Sequence, residues 1–182
     1  MMFADSELQR VAEIVKRCLS TLYEADSFLF ERNGIRGVCE RCLVFRFAHY
    51  LQNELPEFYV DCDFNSSAVV EKSTSGQLVV AERPRKEIIN PDGTITGRFI
   101  DIIVHKRDYE TMNDYICFEF KKWNNRKRED LEKDINNLKQ LTSRYHYRFG
   151  LLLTFGEVLD KTKWTIFSSG RELVEEQFVF GN

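Results

Sequence analysis

Long hydrophobic runs are missing from this sequence. No stretch approaches the roughly 18 to 20 apolar residues of a membrane-spanning helix, and the N-terminus lacks the basic flank and apolar core of a secretion signal. Cysteine is sparse, five among 182 residues. That odd number, without framework-like spacing, argues against a disulfide scaffold and points to reduced thiols in a cytoplasm. Proline is sparser still, at three. No repeat, low-complexity segment or linker interrupts the chain, so residues 1–182 are expected to form one domain with a full core. Strong net charge is lacking too. The balance is −3, so any grip on nucleic acid has to come from a local basic surface. Such a bias exists: Lys121 to Arg148 holds nine Lys or Arg against four Asp or Glu, whereas residues 1–71 hold seven against twelve.

What is present reads as helices followed by strands. Ser6 with Gln9 has the spacing of a capping box and is expected to open a helix over 6–24, with Leu8, Val11, Ile14, Cys18 and Leu22 at helical period. After a loop at Asn33-Gly34, a second apolar helix is expected from about Gly37 to Asn53, closed by Pro56. The segments EFYVDCDF, LVVAE, RFIDIIVHK and YICFEFKKW read as strands, with turns at EKSTSGQ and at NPDG, the latter able to close a hairpin. The charged run from Asn124 leads into a helix with Leu131, Ile135, Leu138 and Tyr145 on one side. FGLLLTF, an almost wholly apolar run of strand length, is expected as a central buried strand, and the tail beyond it is ambiguous. The fold class expected is α/β, a mixed central sheet flanked by helices.

Three carboxylates and a lysine stand out against this apolar background. On a strand, residues two apart share a face, so Cys117, Glu119 and Lys121 point one way while Ile116, Phe118 and Phe120 point the other. Asp101 sits among strong strand formers in FIDIIV. Glu40 heads the helical row Glu40, Val44, Phe47, Leu51, which is expected to face the sheet. Burying unpartnered carboxylates is costly. Converging on a hard divalent cation, they would serve a purpose, because Mg²⁺ takes one or two carboxylates together with waters and phosphate oxygens.

An acidic residue on one strand, Glu-x-Lys on the next and a Glu on a preceding helix resemble the PD-(D/E)XK nuclease superfamily. The matching residues are Glu40, Asp101 and Glu119-Phe120-Lys121, and the superfamily core of helix, three strands, helix and strand maps onto about residues 36–155. The resemblance implies a restriction-endonuclease-like core and metal-dependent hydrolysis of phosphodiester bonds, most readily in DNA, with RNA not excluded. Asp101, Glu119 and the Phe120 carbonyl would hold Mg²⁺ or Mn²⁺, and Lys121 would orient the attacking water. Glu40 would support the metal shell or a second ion. Lys122, Arg126, Lys127 and Arg128 are candidates for the phosphate backbone, and a homodimer is an expectation from the family. Two departures are visible: Ile100-Asp101 stands for the family's Pro-Asp, and Gln140 and Tyr145, five apart, miss the Gln-x-x-x-Tyr spacing of one branch. The literal Pro91-Asp92 is set aside because NPDG is a turn sequence.

Plainer readings accompany these. Glu119 and Lys121 also suit a solvated pair on an edge strand, and Glu40 suits the first turn of a helix, where the dipole favours a carboxylate. The same fold without chemistry would be a binding or assembly module. Cys39 and Cys42 lack the second pair or the histidines of a zinc site and are expected as buried helix cysteines. His49, His105 and His146 fit no nucleophile arrangement. Trp123, on the face of Glu119 and Lys121 by alternation, is a candidate lining of the cleft.

Overall fold

The structure, a computed structural model, describes residues 2–30, 38–64, 68–72, 74–76, 78–82, 86–106, 114–124 and 127–177. The elements are α1 (Met2–Ala25), α2 (Glu40–Glu54), β1 (Tyr59–Phe64), β2 (Ala68–Lys72), β3 (Leu78–Glu82), β4 (Glu87–Ile89) and β5 (Ile95–Gly97). They continue with β6 (Ile100–His105), β7 (Asp114–Lys122), α3 (Arg128–Arg144), β8 (Phe149–Phe155), β9 (Lys163–Ser168) and β10 (Arg171–Gln177). Six strands make one sheet in the order β1-β6-β7-β8-β9-β10, and β2-β3 and β4-β5 are separate two-stranded sheets. The protein is therefore α/β, with a mixed central sheet flanked by helices, as its element order predicts.

Periodicity explains which surfaces meet. α1 buries Val11, Ile14, Val15, Cys18, Leu19 and Leu22, a continuous stripe at three- and four-residue steps. α2 buries Leu43, Val44, Phe47, Ala48 and Leu51. Both helices share one core with Ile102, Val104, Phe118, Phe120, Leu151 and Leu153 on one face of the sheet. Phe47 sits edge-on to Phe118 and Phe120, with centroids 5.7 and 5.4 Å away. The opposite face, with Ile103, Cys117, Leu152 and Phe167, packs against Leu138 and Leu141 of α3. β7 is covered on both sides and pairs in parallel with β8, and α3 is the crossover that parallel pairing demands. FGLLLTF, as β8, is central and buried.

Several boundaries differ from expectation. α1 starts at Met2, so Ser6 and Gln9 lie inside the helix rather than opening it. α2 starts at Glu40, with Cys39 as its extended N-cap residue. The strand β2, AVVEK, was not anticipated, because its apolar part is only three residues long. The tail resolves into β9 and β10, antiparallel to each other. The loop at Asn33-Gly34 lies outside the described residues. NPDG does close a hairpin, β4-β5, with Gly93 at φ 82° and Asp92 accepting the N–H and hydroxyl of Thr94 at the exposed tip. Gln140 and Tyr145, which miss the family spacing, bind the β4 backbone instead. Gln140 spans the N–H and carbonyl of Ile89, and the Tyr145 hydroxyl does the same for Glu87.

Because Phe47 bridges α2 and two sheet phenylalanines, Phe47→Ala is expected to cost about 3–5 kcal/mol of stability. Urea unfolding should show a lower midpoint with an unchanged slope. A loss below about 1 kcal/mol would contradict the packing described.

Candidate active site

The site begins with a ladder that stops early. Between β6 and β7 the last rungs toward the C-terminal end of β7 pair Ile103 with Cys117 and Ile102 with Phe118. One rung further in that register sets Asp101 opposite Glu119. Beyond it, the N–H groups of Phe120 and Lys122 share the edge that β6 has left, and buried N–H groups without acceptors are costly. Two carboxylates stand in for the departed strand. Asp101 Oδ2 accepts the Phe120 N–H at 2.8 Å, and Glu40 Oε2 accepts the Lys122 N–H, also at 2.8 Å. Asp101 arrives from β6 and Glu40 from the first turn of α2, so one strand edge collects acids separated by 61 positions in sequence.

The α3 face supplies the rest. Glu119 is 5 % exposed, and its Oε1 accepts the Asn137 amide at 3.1 Å. Lys121, on the same face, forms an ion pair with Asp134 of α3, and its Nζ also donates to the Phe120 carbonyl at 3.1 Å. Asp134 and Asn137 were not anticipated. They occupy the inward positions 134, 137, 138, 141 and 142 of α3, while Leu131 lies at the surface. The signal was present in the sequence: a helical stripe whose first two members are polar.

Crowding of carboxylates marks the electrostatics. Burial raises Asp101 to about 6, helped by the negative charges of Asp134 and Glu40 and opposed by the Phe120 N–H and Lys121. Burial, with Asp101 and Asp134 nearby, pushes Glu119 well above the ordinary carboxylate range. Asp134 is also raised, chiefly by burial, despite its bond to Lys121. Burial works against the Lys121 ammonium, but Asp134, Glu40 and Glu119 together raise it. An added cation would relieve what burial and mutual repulsion impose on these acids.

The residues fit a divalent ion through a particular donor set. Among the described residues no three His, Cys, Asp or Glu side chains are grouped as a metal site. Two carboxylates, Asp101 and Glu119, with the carbonyl of Phe120, the residue after Glu119, make the kind of oxygen set that Mg²⁺ completes with water. A buried orphan supports that fit. Asn137 Oδ1 has no hydrogen-bond partner, although its amide nitrogen is on Glu119. Arg98, just ahead of β6, places its charge near Asp134, and its buried Nε and Nη2 have no hydrogen-bond partner.

Other candidates fall elsewhere. Lys122 is buried, donates to the Val38 carbonyl and lies 4.9 Å from the Trp123 ring centre. It is tied into the fold rather than offered to a phosphate backbone, because its strand position turns it toward the α2 side. Trp123 follows it there, packing 6.2 Å from Phe30, so it does not line the cleft with Glu119. Beyond the end of β7 the strand alternation no longer governs its direction. Lys127 and Arg128 are exposed where α3 begins, with Arg128 bonded to Glu132, and Arg126 lies outside the described residues. His105 is buried against Asp61, and His49 and His146 are exposed. A cavity of about 360 Å³ lined by Arg10, Phe58, Lys106, Tyr115 and Arg148 opens at the start of β7, away from these acids. No protein-family model, curated protein or solved structure is similar enough to match the chain.

The raised Asp101 has a measurable consequence. Between about pH 4 and 6 the folded protein retains a proton that the unfolded chain has released, so this stabilisation is present at low pH and is lost as pH rises through about 6. In chelator-treated buffer, Asp101→Asn should remove on the order of 2–3 kcal/mol of the fall in stability from pH 4 to 7. Urea titrations at stepped pH check this. Equal pH slopes in the two proteins would overturn the assignment.

Proposed function

We propose that this protein is a metal-dependent nuclease with a restriction-endonuclease-like core, hydrolysing phosphodiester bonds in DNA. The observation that carries the reading is the meeting of Asp101, Glu119 and Lys121 on neighbouring strands at the open end of β7, with both acids pushed toward protonation. Asp101, Glu119 and the Phe120 carbonyl are the residues to hold Mg²⁺ or Mn²⁺. Such an ion supplies a coordinated water of lowered pKa and neutralises charge on the phosphate. Lys121 would orient the attacking water and offset the charge that develops on the phosphoryl oxygens, with Asp134 fixing the ammonium beforehand. Glu40 supports the arrangement through the Lys122 N–H and its own negative charge. Lys127 and Arg128 at the start of α3 suit the flanking phosphates, and Arg98 suits the charge of the scissile group. A cytoplasmic setting and a homodimer that brings two sites to one duplex belong to the same reading, with RNA as an alternative substrate.

One observation favours a second reading, an assembly or binding module of the same fold. Lys121 is already paired with Asp134, and the carboxylates of Asp101 and Glu40 already hold main-chain N–H groups. The network serves structure whether or not it serves chemistry.

Incubation with linear, circular and single-stranded DNA in Mg²⁺ or Mn²⁺ separates the two. Cleavage is expected with either ion, falling at least about 100-fold in Lys121→Ala and in Asp101→Ala. Activity unchanged in both variants would exclude this mechanism. Calorimetric titration with Mn²⁺ should show binding that Asp101→Ala abolishes, and no such binding would favour the module.

A further inference from the structure

Cys39 and Cys42 are not the buried helix cysteines that the sequence suggests. Both are exposed, and their sulfurs lie 3.1 Å apart at the start of α2. The reason is local. Cys39 is the N-cap residue, extended at φ −64° and ψ 147°, so its side chain is not carried around the helix with the others. Cys42 completes the first turn, its N–H bonded to the Cys39 carbonyl at 3.0 Å. Four residues closed in this way bring the first and last Cα closer than about 7 Å, the limit beyond which a disulfide cannot form. The remaining described cysteines are placed differently: Cys18 and Cys117 are buried and Cys62 is half-buried on β1.

We propose that Cys39 and Cys42 form a thiol–disulfide exchange site that takes a low-molecular-weight disulfide as its reactant. One cysteine, as thiolate, attacks a sulfur of the small disulfide; that S–S bond breaks and one small thiolate leaves and is protonated. The other cysteine gives its proton to solvent and attacks the protein sulfur of the mixed disulfide. The second small thiol leaves, and the Cys39–Cys42 bond remains. Two protein thiols are oxidised and one small disulfide is reduced to two thiols. The closeness of the second sulfur makes the resolving step intramolecular, which favours the internal disulfide over a lasting adduct. Two residues intervene, Glu40 and Arg41, and the Glu40 carboxylate accepts the Lys122 N–H. The site thus closes the turn that carries one of the clustered acids, although the exchange itself does not depend on any nuclease activity.

The 182-residue chain carrying Cys62→Ser is equilibrated with mixtures of reduced and oxidised glutathione, quenched by alkylation and analysed by intact and peptide mass spectrometry. Cys39 and Cys42 are expected to lose reactivity together, with the loss of two hydrogens, no retained glutathione and a monomer on a non-reducing gel. Adding Cys42→Ser or Cys39→Ser should instead trap one glutathione on the remaining cysteine. A stable glutathione adduct on the dithiol protein, a disulfide between chains, or full alkylation of both thiols at the oxidising end would each overturn the proposal.

Discussion

The C-terminal end of β7 depends on carboxylates for its hydrogen bonds. Where β6 leaves the ladder, a strand at the centre of the sheet would present bare N–H groups, and Asp101 and Glu40 provide the acceptors. Since a buried N–H without an acceptor costs about 1–3 kcal/mol, this substitution is a condition of the fold as well as a feature of the site. It also fixes geography. An acid that caps Phe120 must stand beside Glu119, and an acid that caps Lys122 must bring the start of α2 to the same edge.

The concentration of negative charge follows from that constraint. Burial raises Asp101 and Glu119, and Asp134, drawn in by Lys121, adds a further carboxylate. Lys121 compensates in part, and Asn137 offers Glu119 a single neutral donor. A buried set so rich in acids and so short of cations is poorly suited to be core packing alone, because each further ionised carboxylate raises the energy of the others. The shortage of positive charge supports the reading in which a divalent ion belongs to the working state. The pairing of Lys121 with Asp134 holds the ammonium at the rim of that set rather than in solvent.

Much of this was legible from periodicity. Alternation in ICFEFKK put Glu119 and Lys121 on one face, and the row Glu40, Val44, Phe47, Leu51 led α2 onto the sheet, where Val44, Phe47 and Leu51 are buried. FGLLLTF declared itself a central strand by having no polar face. Illegible were features that depend on where an element ends. Trp123 turns toward the α2 side because β7 ends at Lys122, and Cys39 escapes burial because α2 starts at Glu40. Asp134 and Asn137 were passed over because a polar residue on a helix is ordinarily read as its solvated face, and the stripe they share with Leu138 and Leu141 was followed through Leu131 instead.

The sequence by itself determined the class of the fold, the strands that carry Asp101 and Glu119, and the face on which Glu119 and Lys121 lie. These follow from hydrophobic period and backbone geometry, which act over a few residues. Only the tertiary structure decided that Glu40 meets the Lys122 N–H, that Asp134 meets Lys121, and that two cysteines stand exposed with their sulfurs in reach of each other. The physical reason is that these contacts are set by where strands and helices stop, and an element stops where packing against the rest of the chain no longer offsets the entropy of continuing it.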